Sequence, residues 1–181
     1  YMSVWAIADL HLSFGVPGKE MDVFGPEWHS HADKVKEHWC DLISPDDLVL
    51  IAGDISWAKH LEEVAADLEW IDRLPGTKLI LRGNHDYWWG SSKKMKAIMP
   101  SSVHFIYNNT FDWRDISIGG SRLWDSDEYN FGKFIAWKES SGVNISPMDK
   151  DEDSRHKIFQ RELGRLKLSL QGLSCESKVR I

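Results

Sequence analysis

Three times in its first half the sequence runs a short apolar stretch into a cluster of polar residues. These are "VWAIADLH" from Val4, "DLVLIAGD" ending on Asp54, and "TKLILRGNHD" ending on Asp86. Each apolar run is too short for a helix and is bounded by polar residues, which predicts a buried strand. Between the first two, Ala32, Val35, Trp39, Leu42 and Ile43 recur at helical spacing, with Ser30 as a cap. Between the second and third, Leu61, Val64, Ala65, Leu68, Ile71 and Leu74 do the same, and "LPG" closes that helix. "SSKKMKAIM" adds a short capped helix before Pro100. Alternating strands and helices predict parallel strands joined by crossover helices, with ligands beyond the carboxyl ends of the strands. All three polar clusters fall at those ends.

From Val103 the texture changes to short strands with turn signals, "VHFIY", "TFDW" and "DISIGGS", which predicts antiparallel pairing. The stretch 122–153 has no clear period and is long for a connector, which suits a lid, a wall of the site or a disordered insertion. Phe159, Leu163, Leu166, Leu170 and Leu173 predict an amphipathic helix, and "SKVRI" begins a further strand.

The chain has 181 residues, enough for one domain with a proper core. Lys and Arg total 22 against 28 Asp and Glu, so nonspecific attraction to nucleic acid is unfavourable, although a local basic pocket remains open. Cys40 and Cys175 show no paired spacing, which fits reduced thiols, structural in role, in a cytoplasmic protein better than a disulfide framework. The first strand has no basic flank and reaches Asp9 within a few residues, unlike a signal peptide or a membrane span. Ten tryptophans in this length belong mostly to the core or to cleft walls; Tyr87, Trp88 and Trp89 are placed to wall a cleft, and Trp124 and Trp137 to pack in the core or lid.

Asp9, His11, Asp54, Asn84 and His85 together supply the carboxylate, amide and imidazole donors that Mn²⁺, Fe²⁺ and Zn²⁺ accept, and Mg²⁺ is compatible with the oxygen donors. Asp-x-His alone is a weak signal, and Asp and Asn at strand ends also cap helices and make turns. Three such ends in one chain are a strong signal for a metal. His29, His31 and His38 read as surface or helix residues.

"DLH", "GD" and "GNHD", in this order and each after a strand, resemble the motifs of the calcineurin-like metallophosphoesterases. That resemblance implies an α/β fold, a β-sandwich flanked by helices in α/β/β/α layers, and two divalent metal ions. It implies that Asp9 and His11 bind one metal, that Asp54 bridges two, and that Asn84 binds the second. His85 would assist the leaving oxygen or the phosphoryl group, and Asp86 would support His85. Such metal pairs neutralise phosphate oxygens and activate a bridging water to attack in line. Protein phosphatases of this superfamily extend "GD" with an aspartate and an arginine, where this chain has Trp57 and Ala58, so a small phosphorylated substrate is expected rather than a phosphoprotein. Arg82 is kept, and Arg122 is a candidate replacement cation for phosphate.

The family's later histidines and its "GHxH" pair do not occur, so the motif order predicts that these residues are the amino-terminal part of a longer metallophosphoesterase-like domain. The expected activity is hydrolysis of a phosphomonoester or phosphodiester. The alternative is a scaffold of the same fold that binds partners without chemistry. Oligomeric state is not legible.

Overall fold

The computed structural model describes residues 2–123 and 152–181, with side chains of the second segment from residue 156. Four strands, β1 (Val4–Ile7), β2 (Leu48–Ile51), β3 (Thr77–Ile80) and β4 (Val103–Phe105), form one sheet in that order, parallel throughout. The crossovers are α1 (His31–Leu42), α2 (Leu61–Asp72) and α3 (Ser92–Ile98), as the periodicity requires. Two 3-10 turns, Met21–Phe24 and Pro26–Trp28, break the loop before α1. A second sheet contains β5 (Phe111–Trp113), β6 (Ile116–Ile118) and β7 (Val179–Arg180), and α4 (Glu152–Gln171) precedes β7.

Side chains alternate across the parallel strands and separate two cores. Val49, Ile51 and Ile80 face the helices and meet Trp39, Val64, Leu68, Ile71 and Met95. Leu48 and Leu79 face the other way and join Ile106 and Ile118, so the second sheet packs on the first. The layers are those of the expected α/β/β/α sandwich.

Three details differ from expectation. β4 is parallel to β3, because α3 returns the chain to the starting edge of the sheet; antiparallel pairing begins with β5 and β6, and β7 is parallel to β6. Ser30 precedes α1 in a left-handed conformation (φ 53°), and its side chain does not cap the helix, whereas Ser91 does cap α3. Cys40 and Cys175 are free and exposed, so neither is a core thiol. The expected lid at 122–153, including Trp124 and Trp137, lies outside the described residues except at its ends. No helix among the described residues is long and apolar enough to cross a membrane.

Lys78 explains how α2 is held. It lies wholly buried on β3, and its Nζ donates to the carbonyls of Asp72 (3.2 Å), Leu74 (2.5 Å) and Gly76 (2.9 Å). An ammonium at that end satisfies carbonyls that the helix leaves without partners and opposes its dipole. Burial lowers its pKa to about 8.

Candidate metal centre

The loops after β1 and β2 continue to pair beyond the strands. Asp9 donates its N–H to Gly53 O (3.1 Å), His11 to Asp54 O (2.9 Å) and Leu12 to Ile55 O (2.9 Å). This register sets Asp9 and His11 beside Asp54. His11 Nε2 lies 3.6 Å from Asp9 Oδ1 and 3.9 Å from Asp54 Oδ2, and one donor atom from each residue falls within 4.8 Å of the other two. Those gaps are too long for hydrogen bonds. They suit donors that share an ion, since ligands about 2.1 Å from one metal stand about 3 to 4 Å apart.

Asp9, His11 and Asp54 also have positive φ (59°, 44° and 52°). They make up half of the non-glycine residues in that region among the described residues, so backbone strain concentrates where the three side chains converge. Asp54 and His11 have only 11% of their side chains exposed, whereas Asp9 has 65%, which leaves an opening to solvent on one side. Burial lowers the pKa of His11 against the pull of Asp54 and Asp9, which keeps the imidazole neutral, as a ligand must be. Its Nδ1 is buried without a hydrogen-bond partner. Two carboxylates and a neutral imidazole in one recess therefore fit a divalent cation.

The third loop meets the second by backbone contact. A methyl group on Gly53 would come within 2.6 Å of Gly83 Cα, and one on Gly83 would overlap Asp54 itself, so only glycine lets "GD" and "GNHD" cross here. His85 N–H donates to Asp54 Oδ1 (2.9 Å), while Oδ2 of the same carboxylate faces His11. Asn84 lies between two residues that both touch Asp54, and it is exposed. The imidazole of His85 stands edge-on to His11, with ring centres 5.7 Å apart.

Asp86 does a different job from the one expected. Its wholly buried carboxylate accepts from the N–H groups of Gly83 (2.7 Å), Ile55 (2.9 Å) and Ser56 (3.3 Å) and from Trp88 Nε1 (3.1 Å), and it makes no hydrogen bond to the imidazole of His85. It therefore ties the second loop to the third. Burial pushes its carboxyl pKa up, against the opposing effect of those four donors. Trp88 and Trp89 are core residues, so of the three aromatics expected to wall the cleft only Tyr87 is exposed, beside His85. Arg82 donates from Nε to the Asp86 carbonyl (3.3 Å). Arg122 is 93% buried by its side chain and pairs with Glu162 (3.2 Å), away from the role of a surface cation.

Three contributors were not anticipated. Trp57, read only as a missing aspartate, stacks on His11 at 4.5 Å with the rings 18° apart. Asp67, on the buried face of α2, accepts from Phe14 N–H (2.8 Å) in the first loop and from the Ser56 hydroxyl in the second. Ser56 thus bonds to both Asp67 and Asp86, and the two carboxylates lace all three loops together. A carboxylate among the apolar positions Val64, Leu68 and Ile71 was the available signal. Glu162 is the third, buried on α4 among arginines.

Comparison with known proteins agrees with this arrangement. Residues 2–167 match the calcineurin-like phosphoesterase family. The gene 66 proteins of Mycobacterium phages D29 and L5 are each 33% identical to the chain, over 84 and 91 residues. The match spans 46% of this chain and 40% of each relative. A protein of unknown function from Aquifex aeolicus is 17% identical, with TM-score 0.43 over 90% of this chain and 75% of that one. A phosphopantetheinyl hydrolase from Mycobacterium tuberculosis is 17% identical, with TM-score 0.45 over 92% of this chain and 63% of its own. On the sequence match, which takes in all three strand-end motifs, the chain belongs to the calcineurin-like phosphoesterase family.

Proposed function

We propose that the protein is a cytoplasmic, metal-dependent phosphohydrolase that cleaves a phosphomonoester or phosphodiester of a small molecule, with residues 1–181 part of one metallophosphoesterase-like domain. The convergence of Asp9, His11 and Asp54 in a strained, half-closed recess carries this reading. Asp9 and His11 would hold one divalent ion, Asp54 would serve both ions of a pair, and Asn84 would hold the second. The donor set accommodates Mn²⁺, Fe²⁺ or Zn²⁺, with Mg²⁺ compatible. Bound divalent ions supply charge neutralisation on phosphate oxygens and acidify water near neutral pH.

The chain's own groups do the rest. Trp57 fixes the plane of the His11 ring by stacking on it. The His85 backbone N–H orients the Asp54 carboxylate, and its imidazole donates a proton or a hydrogen bond to the leaving oxygen. Asp86 acts one step back, by holding the loops that carry Asp54 and His85. The exposed free thiols support the cytoplasmic assignment.

The test is Mn²⁺-dependent hydrolysis of an aryl phosphomonoester and diester by a full-length chain and its His85→Ala variant, with Mn²⁺ affinity measured in parallel. The expected result is turnover that His85→Ala lowers by about 10² or more with metal affinity unchanged. Turnover unaffected by the substitution would refute the role of His85. Partner binding with hydrolysis absent in a full-length chain would favour the scaffold reading.

A further inference from the structure

A concentrated positive region lies beside the metal centre, organised by one buried acid. Glu162, on the inner face of α4, has 2% of its side chain exposed, and its Oε1 faces Arg122 Nε (3.2 Å), Arg161 Nε (3.2 Å) and Arg165 Nη1 (2.7 Å). Arg165 also donates from Nη2 to the Tyr107 hydroxyl (2.9 Å), and its guanidinium lies over the Tyr107 ring at 4.5 Å. Arg82 leaves the end of β3, the strand paired with β4, which Tyr107 follows.

Three guanidiniums therefore share one buried carboxylate, Glu162, and Arg82 meets Asp86 only at its backbone carbonyl. The oxygens of Asp86 are already engaged by three backbone N–H groups and an indole. Arg82 forms no ion pair among the described residues and uses only Nε, toward a carbonyl. Arg161 is 53% exposed and bonds to Glu162 through Nε. Neighbouring guanidinium forks with donors to spare are a match for a doubly charged phosphate.

The position follows from topology. Arg82 leaves β3 and Tyr107 follows β4, at the same edge of the parallel sheet where β1 and β2 deliver Asp9, His11 and Asp54. Asn84 and His85 share a loop with Arg82. An anion on the arginines and a phosphoryl group at the metal centre would thus be neighbours along one edge.

We propose that Arg82, Arg161 and Arg165, organised by Glu162, form a subsite for a second phosphate of the substrate, one that is not cleaved. The substrate class is then small molecules bearing two phosphate groups; this placement rests on the phosphohydrolase reading, whereas anion binding by the arginines does not.

Two arms test this. In the first, inorganic phosphate is titrated calorimetrically into the chain after metal removal with EDTA. Binding is expected, weakened roughly ten-fold by Arg161→Gln and unchanged by Arg73→Gln, an exposed arginine elsewhere. Equal affinity in the chain and in Arg161→Gln would overturn the subsite. In the second, Mn²⁺-dependent hydrolysis of 1,4-butanediol bisphosphate is compared with that of butyl phosphate. The expected preference in kcat/KM is roughly ten-fold or more for the bisphosphate, expressed in KM and lost in Arg161→Gln. Phosphate binding without that preference would make the cluster a site for free phosphate and overturn its place in substrate recognition. Phosphate binding with no hydrolysis of either ester by a full-length chain would sink the phosphohydrolase reading and leave the anion site standing.

Discussion

Two neighbouring regions of this molecule are organised by buried carboxylates and end with opposite charge. At the ends of β1, β2 and β3, Asp67 and Asp86 accept from backbone N–H groups, a serine hydroxyl and an indole, all neutral donors. They spend no cation, so the loops they hold can present Asp9 and Asp54 to an ion. On α4, Glu162 accepts from guanidiniums, and one acid gathers more positive charge than it cancels. The partner chosen by the buried acid decides whether the surface beside it attracts cations or anions.

The contrast breaks most sharply at Asp86. Asp86→Ala leaves four buried donors without an acceptor, and the expected loss of stability is about 3 to 5 kcal/mol by urea unfolding. A loss below about 1 kcal/mol would mean that the loops do not depend on it. Gly83→Ala should act on function more than on the core, because the added methyl group displaces Asp54. Mn²⁺ affinity is expected to fall by roughly 10², and an unchanged affinity would contradict the crossing of the two loops.

A fourth buried carboxylate gives a pH signature. Asp47 accepts from Ser3 N–H (2.7 Å), Ser44 N–H (2.9 Å) and Trp5 Nε1 (3.3 Å), which holds its pKa down to about 2. Its folded pKa is below its unfolded one, so its contribution is complete above about pH 4 and disappears as pH falls toward 2. The Tm gap between the chain and Asp47→Asn should be full at pH 6 and shrink below pH 4; a gap independent of pH would refute the assignment. The smallest effect belongs to Arg73, whose ion pair with Glu69 (3.4 Å) is largely exposed. Arg73→Ala should change stability by about 0.5 kcal/mol or less, unlike any change in the cluster on α4.

The parallel sheet and the metal-centre candidates were legible because each rests on local pattern: an apolar run, a glycine, then polar donors. The structure brings Asp9, His11 and Asp54 together and sets Asn84 and His85 beside them. What escaped is what long-range packing decides. Asp86 shares a tetrapeptide with His85 and yet turns inward, because Gly83, Ile55 and Ser56 all present N–H groups there. Leucine spacing on α4 suggested an apolar inner face, but Glu162 and Ser169 are the buried residues and Leu170 is exposed. Ser169 is drawn in by Gly120 N–H (2.9 Å) and the Asn109 carbonyl (2.5 Å), and Glu162 by the arginines. No periodicity in the helix itself encodes those partners.

The most direct test of the account is a calorimetric titration of Mn²⁺ into the metal-free chain and into Asp54→Ala. Asp54 touches His11 through one oxygen and the His85 backbone through the other, so its loss should abolish Mn²⁺ binding while the fold survives by circular dichroism. Full retention of Mn²⁺ by a folded Asp54→Ala would contradict the metal centre described here.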